Sequence, residues 1–73
     1  MKSLRLHKRL YSAAGIRAAA EAFAELAQIG IETDDPHASI QFQDIDPDVE
    51  DVIVAEFANF ALAETIEGRT KAP

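Results

Sequence analysis

Hydrophobic residues repeat with two different periods along this chain, and the order of those periods limits the folds that it can adopt. A period of two places alternate side chains on one face of a strand, whereas an apolar stripe on a helix recurs every three or four residues. The first pattern covers residues 3–10, 29–33 and 38–42, and the second covers residues 13–29 and 46–67. The sequence therefore predicts the element order β-α-β-β-α.

This order predicts a small α+β fold in which a three-stranded sheet packs against two helices. The chain has 73 residues, which is enough for a single domain, and we expect that domain to cover residues 1–68. The segment Asp34-Asp35-Pro36-His37 has the composition of a turn and predicts a β-hairpin between the second and third strands. Residues 69–73 are expected to form a disordered C-terminal tail.

Each predicted helix carries a signal at both of its ends. Ser12 can accept hydrogen bonds from the first backbone amides of the first helix, and Gly30 is suited to the left-handed residue that follows its last turn. Asp46 and Pro47 are typical of a helix start, because aspartate caps the first turn and proline is tolerated at the first helical position. Gly68 predicts the end of the second helix.

One glycine does not fit these local rules. Gly15 lies in the first turn of the first predicted helix, where glycine is less favourable than alanine by about 1 kcal/mol. The apolar face of the same helix is rich in alanine, which indicates a close approach to the sheet or to another helix.

The second helix carries two apolar stripes on different sides, although a surface helix in a monomer needs only one. The first stripe consists of Val49, Ile53, Phe57 and Phe60, and the second of Val52, Ala55, Leu62, Ala63 and Ile66. The sheet or another chain could cover the second stripe, and because a core this rich in alanine is small, we expect another chain. Asn59 lies at the boundary of this face. Its side chain could contact a partner chain or a peptide, or it could have a structural role within the helix. The predicted interface is Val52, Ala55, Asn59, Leu62 and Ile66.

The charge distribution disfavours nucleic acid as a partner. The formal net charge is -6, and a negative surface repels a phosphate backbone. Four of the seven lysines and arginines fall within the first nine residues: Lys2, Arg5, Lys8 and Arg9. This basic strip is too short to reverse the effect of the acidic remainder.

The chain contains no cysteine, so disulfides and thiolate metal sites are excluded. No apolar run is long enough to span a bilayer, and the N-terminus lacks the apolar segment of a signal peptide. We therefore expect a cytoplasmic protein without a membrane partner. A domain this short is only marginally stable, and small domains usually gain stability from disulfides, a metal or oligomerisation. Because the first two are not expected here, we expect the chain to form a homodimer.

Patterns that carry catalysis or bind cofactors are missing from the sequence. His7 and His37 are 30 positions apart and are expected to be plain surface side chains, and the three glycines are isolated, so no loop cradles a phosphate. A calcium-binding loop starting at Asp44 would need glycine and an acidic residue where Val49 and Ala55 stand. The sequence predicts no catalytic residue, no cofactor and no metal site.

Two segments nevertheless resemble a known family. Leu10-Tyr11-Ser12 precedes Ile16, Ala19 and Phe23, and the second helix contains Glu56-Phe57-Ala58-Asn59-Phe60-Ala61-Leu62. These residues resemble the small D protein of the His-Xaa-Ser system, whose members accompany radical-SAM enzymes that modify a short peptide. The resemblance implies an accessory role in peptide maturation without catalysis by the protein itself. A second likeness is to the small dimerising subunit of the KEOPS complex, which modifies tRNA.

Two hypotheses of function follow from these observations. The first is a non-catalytic accessory or adaptor protein that binds a peptide or protein partner through an open sheet edge and the second stripe. The alternative is a structural homodimer that serves as the small subunit of a larger complex.

Overall fold

The computed structural model describes residues 2–70 and confirms the predicted α+β fold with the order β-α-β-β-α. Within this range the chain forms three strands and two helices. They are β1 (Lys2–His7), α1 (Ala13–Ala22), β2 (Gln28–Asp34), β3 (His37–Gln43) and α2 (Ile53–Thr70).

The last strand in sequence lies in the centre of the sheet. The strand order is β1-β3-β2, and both neighbours pair with β3 in antiparallel orientation. Leu4 and Ile31 both lie opposite Ile40, so one row of the sheet carries three aliphatic side chains on the same face. The predicted hairpin between β2 and β3 is confirmed, with Asp35 and Pro36 as its turn and a cis peptide bond between them.

Aromatic rings from β3, from α2 and from the turn after α1 meet in the centre of the core. The ring of Phe57 is fully buried and lies edge-on to Phe42 at 5.3 Å and to Phe23 at 5.7 Å between centroids. The first stripe of α2 therefore faces the sheet and α1, with Ile53 buried beside Phe57 and with Phe60 partly buried. Burial of such large apolar side chains is the main stabilising contribution in a domain this small.

A hydrogen-bonded junction joins the beginning of α1 to α2. The Ser12 hydroxyl accepts a hydrogen bond from the Gly15 amide at 2.9 Å, which confirms the predicted helix cap. The hydroxyl of Thr65 is buried, accepts a hydrogen bond from the Ser12 amide at 2.9 Å and donates one to the Ala61 carbonyl at 2.7 Å. This junction fixes the start of α1 against the second half of α2.

The first helix is shorter than predicted. It ends at Ala22 and not at Ile29, and Gly30 lies inside β2 instead of terminating a helix. The carbonyl of Phe23 accepts a hydrogen bond from the Leu26 amide at 2.9 Å, so a tight turn replaces the predicted last turns. The reason is tertiary, because pairing of residues 28–30 with β3 satisfies their backbone groups in the sheet.

The second helix is displaced towards the C-terminus relative to the prediction. Asp46 caps as expected, since its side chain accepts a hydrogen bond from the Asp48 amide at 2.9 Å, but it caps a stretch of turns at residues 47–52. The regular helix begins at Ile53 and continues through Gly68 to Thr70, so the predicted end at Gly68 is wrong. The rest of the predicted tail, residues 71–73, lies outside the described residues.

Candidate protein-binding surfaces

The predicted interface residues all lie exposed on α2 or directly before it. Val52, Leu62 and Ile66 are 49%, 38% and 51% exposed, and Ala55 and Asn59 are exposed as well. Val52 precedes the first helical residue, and its carbonyl accepts a hydrogen bond from the Glu56 amide at 2.9 Å, as in a regular helix. The structure therefore places these five side chains, which we call the outer stripe, on one accessible surface.

The outer stripe lies opposite the side of α2 that fills the core. A helix advances by about 100° per residue, so Ile53, Phe57 and Ala61 point roughly 180° away from the centre of the outer stripe. The members of the outer stripe follow one another at intervals of three, four, three and four residues. Alternating intervals of three and four residues are the a/d spacing of a two-helix coiled coil. They average 3.5 residues, which keeps the side chains on the side that faces the partner helix.

A second accessible surface is the edge strand β2. No strand pairs with its outer side within residues 2–70, and every residue of β2 is exposed except Ile29, which is partly buried. Ile31 is 44% exposed although its neighbour Ile40 is fully buried in the same row of the sheet. An edge strand offers unpaired backbone groups, which is the feature that an added strand recognises.

Two depressions follow β2 on the face that carries α1. The first has a volume of about 110 Å³ and lies between Ile16 and Arg17 of α1 and Ile31 and Thr33 of β2, with Lys8 at its rim. The second has a volume of about 410 Å³, and its lining includes Ala20, Ala24, Glu25, Ile29 and Asp44. Together they form a groove, the β2 groove, with α1 as one wall and β2 as the other.

The two ends of the β2 groove carry opposite charges. Arg17 lies at the end near the hairpin, where Lys8 also forms an ion pair with Asp35 at 2.6 Å. Glu25 and Asp44 lie at the other end. An extended ligand with an acidic group at one end and a basic group at the other would match this polarity.

The two histidines are neighbours in the sheet, although they are 30 positions apart in sequence. His7 and His37 lie opposite each other in the β1–β3 pairing, with their rings edge-on at 5.1 Å between centroids. Nδ1 of His37 lies 3.2 Å from the Arg5 guanidinium, and Nδ1 of His7 accepts a hydrogen bond from the Arg9 amide at 3.1 Å. Sequence reasoning missed this pair because it depends on which strand lies beside β1.

Within the described range, no three acidic, histidine or cysteine side chains come together as a metal site would require. Among the same residues, no helix has both the length and the apolar character of a membrane span. The comparisons with known proteins found no matching family model, no matching curated protein and no matching solved structure. The outer stripe and the β2 groove are the two accessible surfaces on which a partner could bind.

Proposed function

We propose that this domain is a non-catalytic accessory protein that holds an extended peptide along β2. The observation that carries the proposal is the combination of an unpaired edge strand with a groove on its helical side. Backbone groups of β2 would pair with the peptide and provide affinity, and the groove would select its side chains.

The spacing of the groove defines the peptide that fits it. Ile29 and Thr33 border the two depressions and lie four residues apart on one face of β2, which corresponds to about 13 Å in a strand. Peptide residues i and i+4 would therefore fill the depressions, and residue i+2 would contact Ile31. These residues are expected to be small and apolar, because the walls of the groove include Ile16 and Ala20.

The resemblance to the His-Xaa-Ser D protein suggests a biological role for such a groove. In such a role the groove would hold the substrate peptide in an extended form, so that a separate enzyme could reach the residue to be modified. Binding through the backbone suits this task, because it leaves every second side chain of the peptide facing away from the groove.

Short fluorescein-labelled peptides in which valine and threonine alternate would test the groove. One peptide has aspartate at its N-terminal and lysine at its C-terminal end, and a second has the two charges exchanged. Fluorescence polarisation should show stronger binding of the peptide with N-terminal aspartate, because antiparallel pairing with β2 brings its acidic end beside Arg17. Ile31→Glu should weaken binding at least tenfold, since it places a charge in the middle of the groove.

Gln41→Glu is the matched control for this experiment, because it adds the same charge to an exposed position on the other face of the sheet. Binding that is equally strong in the Ile31→Glu and Gln41→Glu variants would contradict the proposed groove. Equal binding of the two peptides would contradict the proposed charge polarity.

A second candidate function is a structural homodimer that acts as a small subunit of a larger complex. The observation that favours it is the outer stripe, which leaves the apolar side chains of Val52, Leu62 and Ile66 exposed in a single chain. This candidate does not need a peptide ligand, and the two functions can coexist because α2 and β2 present different surfaces.

A further inference from the structure

We propose that the outer stripe binds the outer stripe of a second copy of this chain, with the two α2 helices antiparallel about a two-fold axis close to Asn59. The inference rests on the second candidate function, self-association, and is independent of the β2 groove. Three properties of the outer stripe support it: the position of its amide, the order of its side-chain sizes and the placement of the acidic residues around it.

Asn59 is the middle member of the outer stripe and its only polar one, with two apolar side chains on either side along α2. A side-chain amide both donates and accepts hydrogen bonds, so it can be satisfied by a copy of itself. On an apolar partner helix the same amide would be buried without a partner, which is unfavourable. A single asparagine in an otherwise apolar seam therefore favours one partner and one register of the two helices.

The side chains of the outer stripe increase in size along the helix. Val52 and Ala55 precede Asn59, and the larger Leu62 and Ile66 follow it. An antiparallel seam places Ala55 of one copy against Ile66 of the other and Asn59 against Leu62, which pairs small with large and keeps the helices evenly spaced. A parallel seam would instead place Ala55 against Ala55 and leave a gap there.

In the antiparallel register, the two Asn59 side chains occupy adjacent layers on either side of the two-fold axis. Their α-carbons are then offset along the seam by about three residues, or roughly 4.5 Å. This offset is within reach of two facing amide side chains, so each can donate a hydrogen bond to the other.

The acidic residues at the N-terminal end of the outer stripe also favour the antiparallel orientation. Glu50 and Asp51 directly precede the outer stripe, and Glu56 flanks its first turn. A parallel dimer would bring Asp51 of one copy beside Glu56 of the other, and like charges in such flanking positions repel. An antiparallel dimer that pairs Ala55 with Ile66 separates the two Val52 residues, and with them the two acidic segments, by seventeen residues or about 26 Å along the seam.

Solution mass tests the association itself. Light scattering across a concentration series should show a monomer–dimer equilibrium, and a seam of this length predicts a weaker dimer than in permanent assemblies. Leu62→Glu should give a folded monomer at every concentration, whereas Gln41→Glu should keep the dimer. A wild-type chain that remains monomeric at millimolar concentration, or a Leu62→Glu variant that still dimerises, would overturn the proposal.

Disulfide crosslinking tests the orientation, because the chain has no cysteine of its own. A mixture of Ala55→Cys and Ile66→Cys chains should form the mixed disulfide under mild oxidation, and neither variant alone should crosslink efficiently. Crosslinking of Ala55→Cys with itself would overturn the antiparallel orientation while leaving self-association in place.

The isosteric substitution Asn59→Asp tests the amide pair. It removes the donor and places two carboxylates near the axis, so the dissociation constant of the dimer at neutral pH should rise at least tenfold. Circular dichroism should remain unchanged, because Asn59 is exposed in the single chain. An unchanged dissociation constant would show that Asn59 does not lie near the two-fold axis.

Discussion

A β-carbon on Gly15 would lie 2.5 Å from Oγ1 of Thr65 and 2.7 Å from the carbonyl oxygen of Ala61. Both separations are shorter than a van der Waals contact, so α1 and α2 approach each other more closely here than any residue with a side chain allows. This contact explains why a residue that disfavours helix occupies the first turn of α1. Its helical cost is offset by the hydrogen bonds that the close approach permits between Ser12 and Thr65.

Gly15→Ala is therefore expected to destabilise the domain, although alanine is the better helix former. The gain in helix propensity is about 1 kcal/mol, but overpacking against a backbone carbonyl and a buried hydroxyl typically costs about 1–3 kcal/mol. Urea unfolding should show a net loss of up to about 2 kcal/mol. Gly68→Ala is the control, because nothing lies within 4 Å of its β-carbon position, and it should stabilise the domain. A gain in stability for both variants would contradict the close approach at Gly15.

Thr65→Val should destabilise the domain through the loss of one hydroxyl. Valine has nearly the same shape, but it leaves the Ser12 amide without the partner that Thr65 provides at 2.9 Å. This hydrogen bond is partly buried, so the loss should lie near the lower end of the roughly 1–3 kcal/mol that an unsatisfied buried donor costs, and urea or thermal unfolding would measure it. Thr65→Ser retains the hydroxyl and should lose less stability than Thr65→Val. The reverse order would show that Thr65 acts through its methyl group.

Substitutions of the two phenylalanines of α2 should differ in their effects. Phe57 is fully buried between Phe23 and Phe42, whereas Phe60 is only partly buried and contacts Phe23 at 5.8 Å between centroids. Phe57→Leu should reduce the free energy of unfolding by about 1–3 kcal/mol, because it removes two aromatic contacts and leaves a cavity. Phe60→Leu should have a smaller effect in the same denaturation experiment. Equal losses in the free energy of unfolding would indicate that the two rings are equally well packed, contrary to this prediction.

The ion pair between Lys8 and Asp35 should contribute little to stability. Its atoms are 2.6 Å apart, but the side chain of Asp35 is 82% exposed, and ion pairs at the surface contribute about 0–1 kcal/mol. Asp35→Asn should therefore change the free energy of unfolding by less than about 0.5 kcal/mol, with a smaller effect at high salt. A loss well above 1 kcal/mol would indicate that the pair holds the hairpin turn in place.

The outer stripe could be identified from the sequence because it depends on a property of α2 alone. Once residues 53–70 form a helix, the spacing of Leu62 and Ile66 relative to Phe57 decides which side chains face away from the core. The β2 groove could be predicted only in part. An open sheet edge was expected, but the sequence could not show that β2 is an edge beside α1 or that Ile31 is left exposed there.

The periodicity of the hydrophobic residues determined the type and order of the elements, because the face on which a side chain lies follows from local backbone geometry. The chain itself also specified the hairpin turn at Asp35 and Pro36 and the Ser12 cap, which need only neighbouring residues. Tertiary structure decided the rest. It ended α1 at Ala22, brought His7 beside His37 and required glycine at position 15, because these features arise from contacts between residues that are distant in sequence. The free energy of such contacts can exceed the small differences in local propensity.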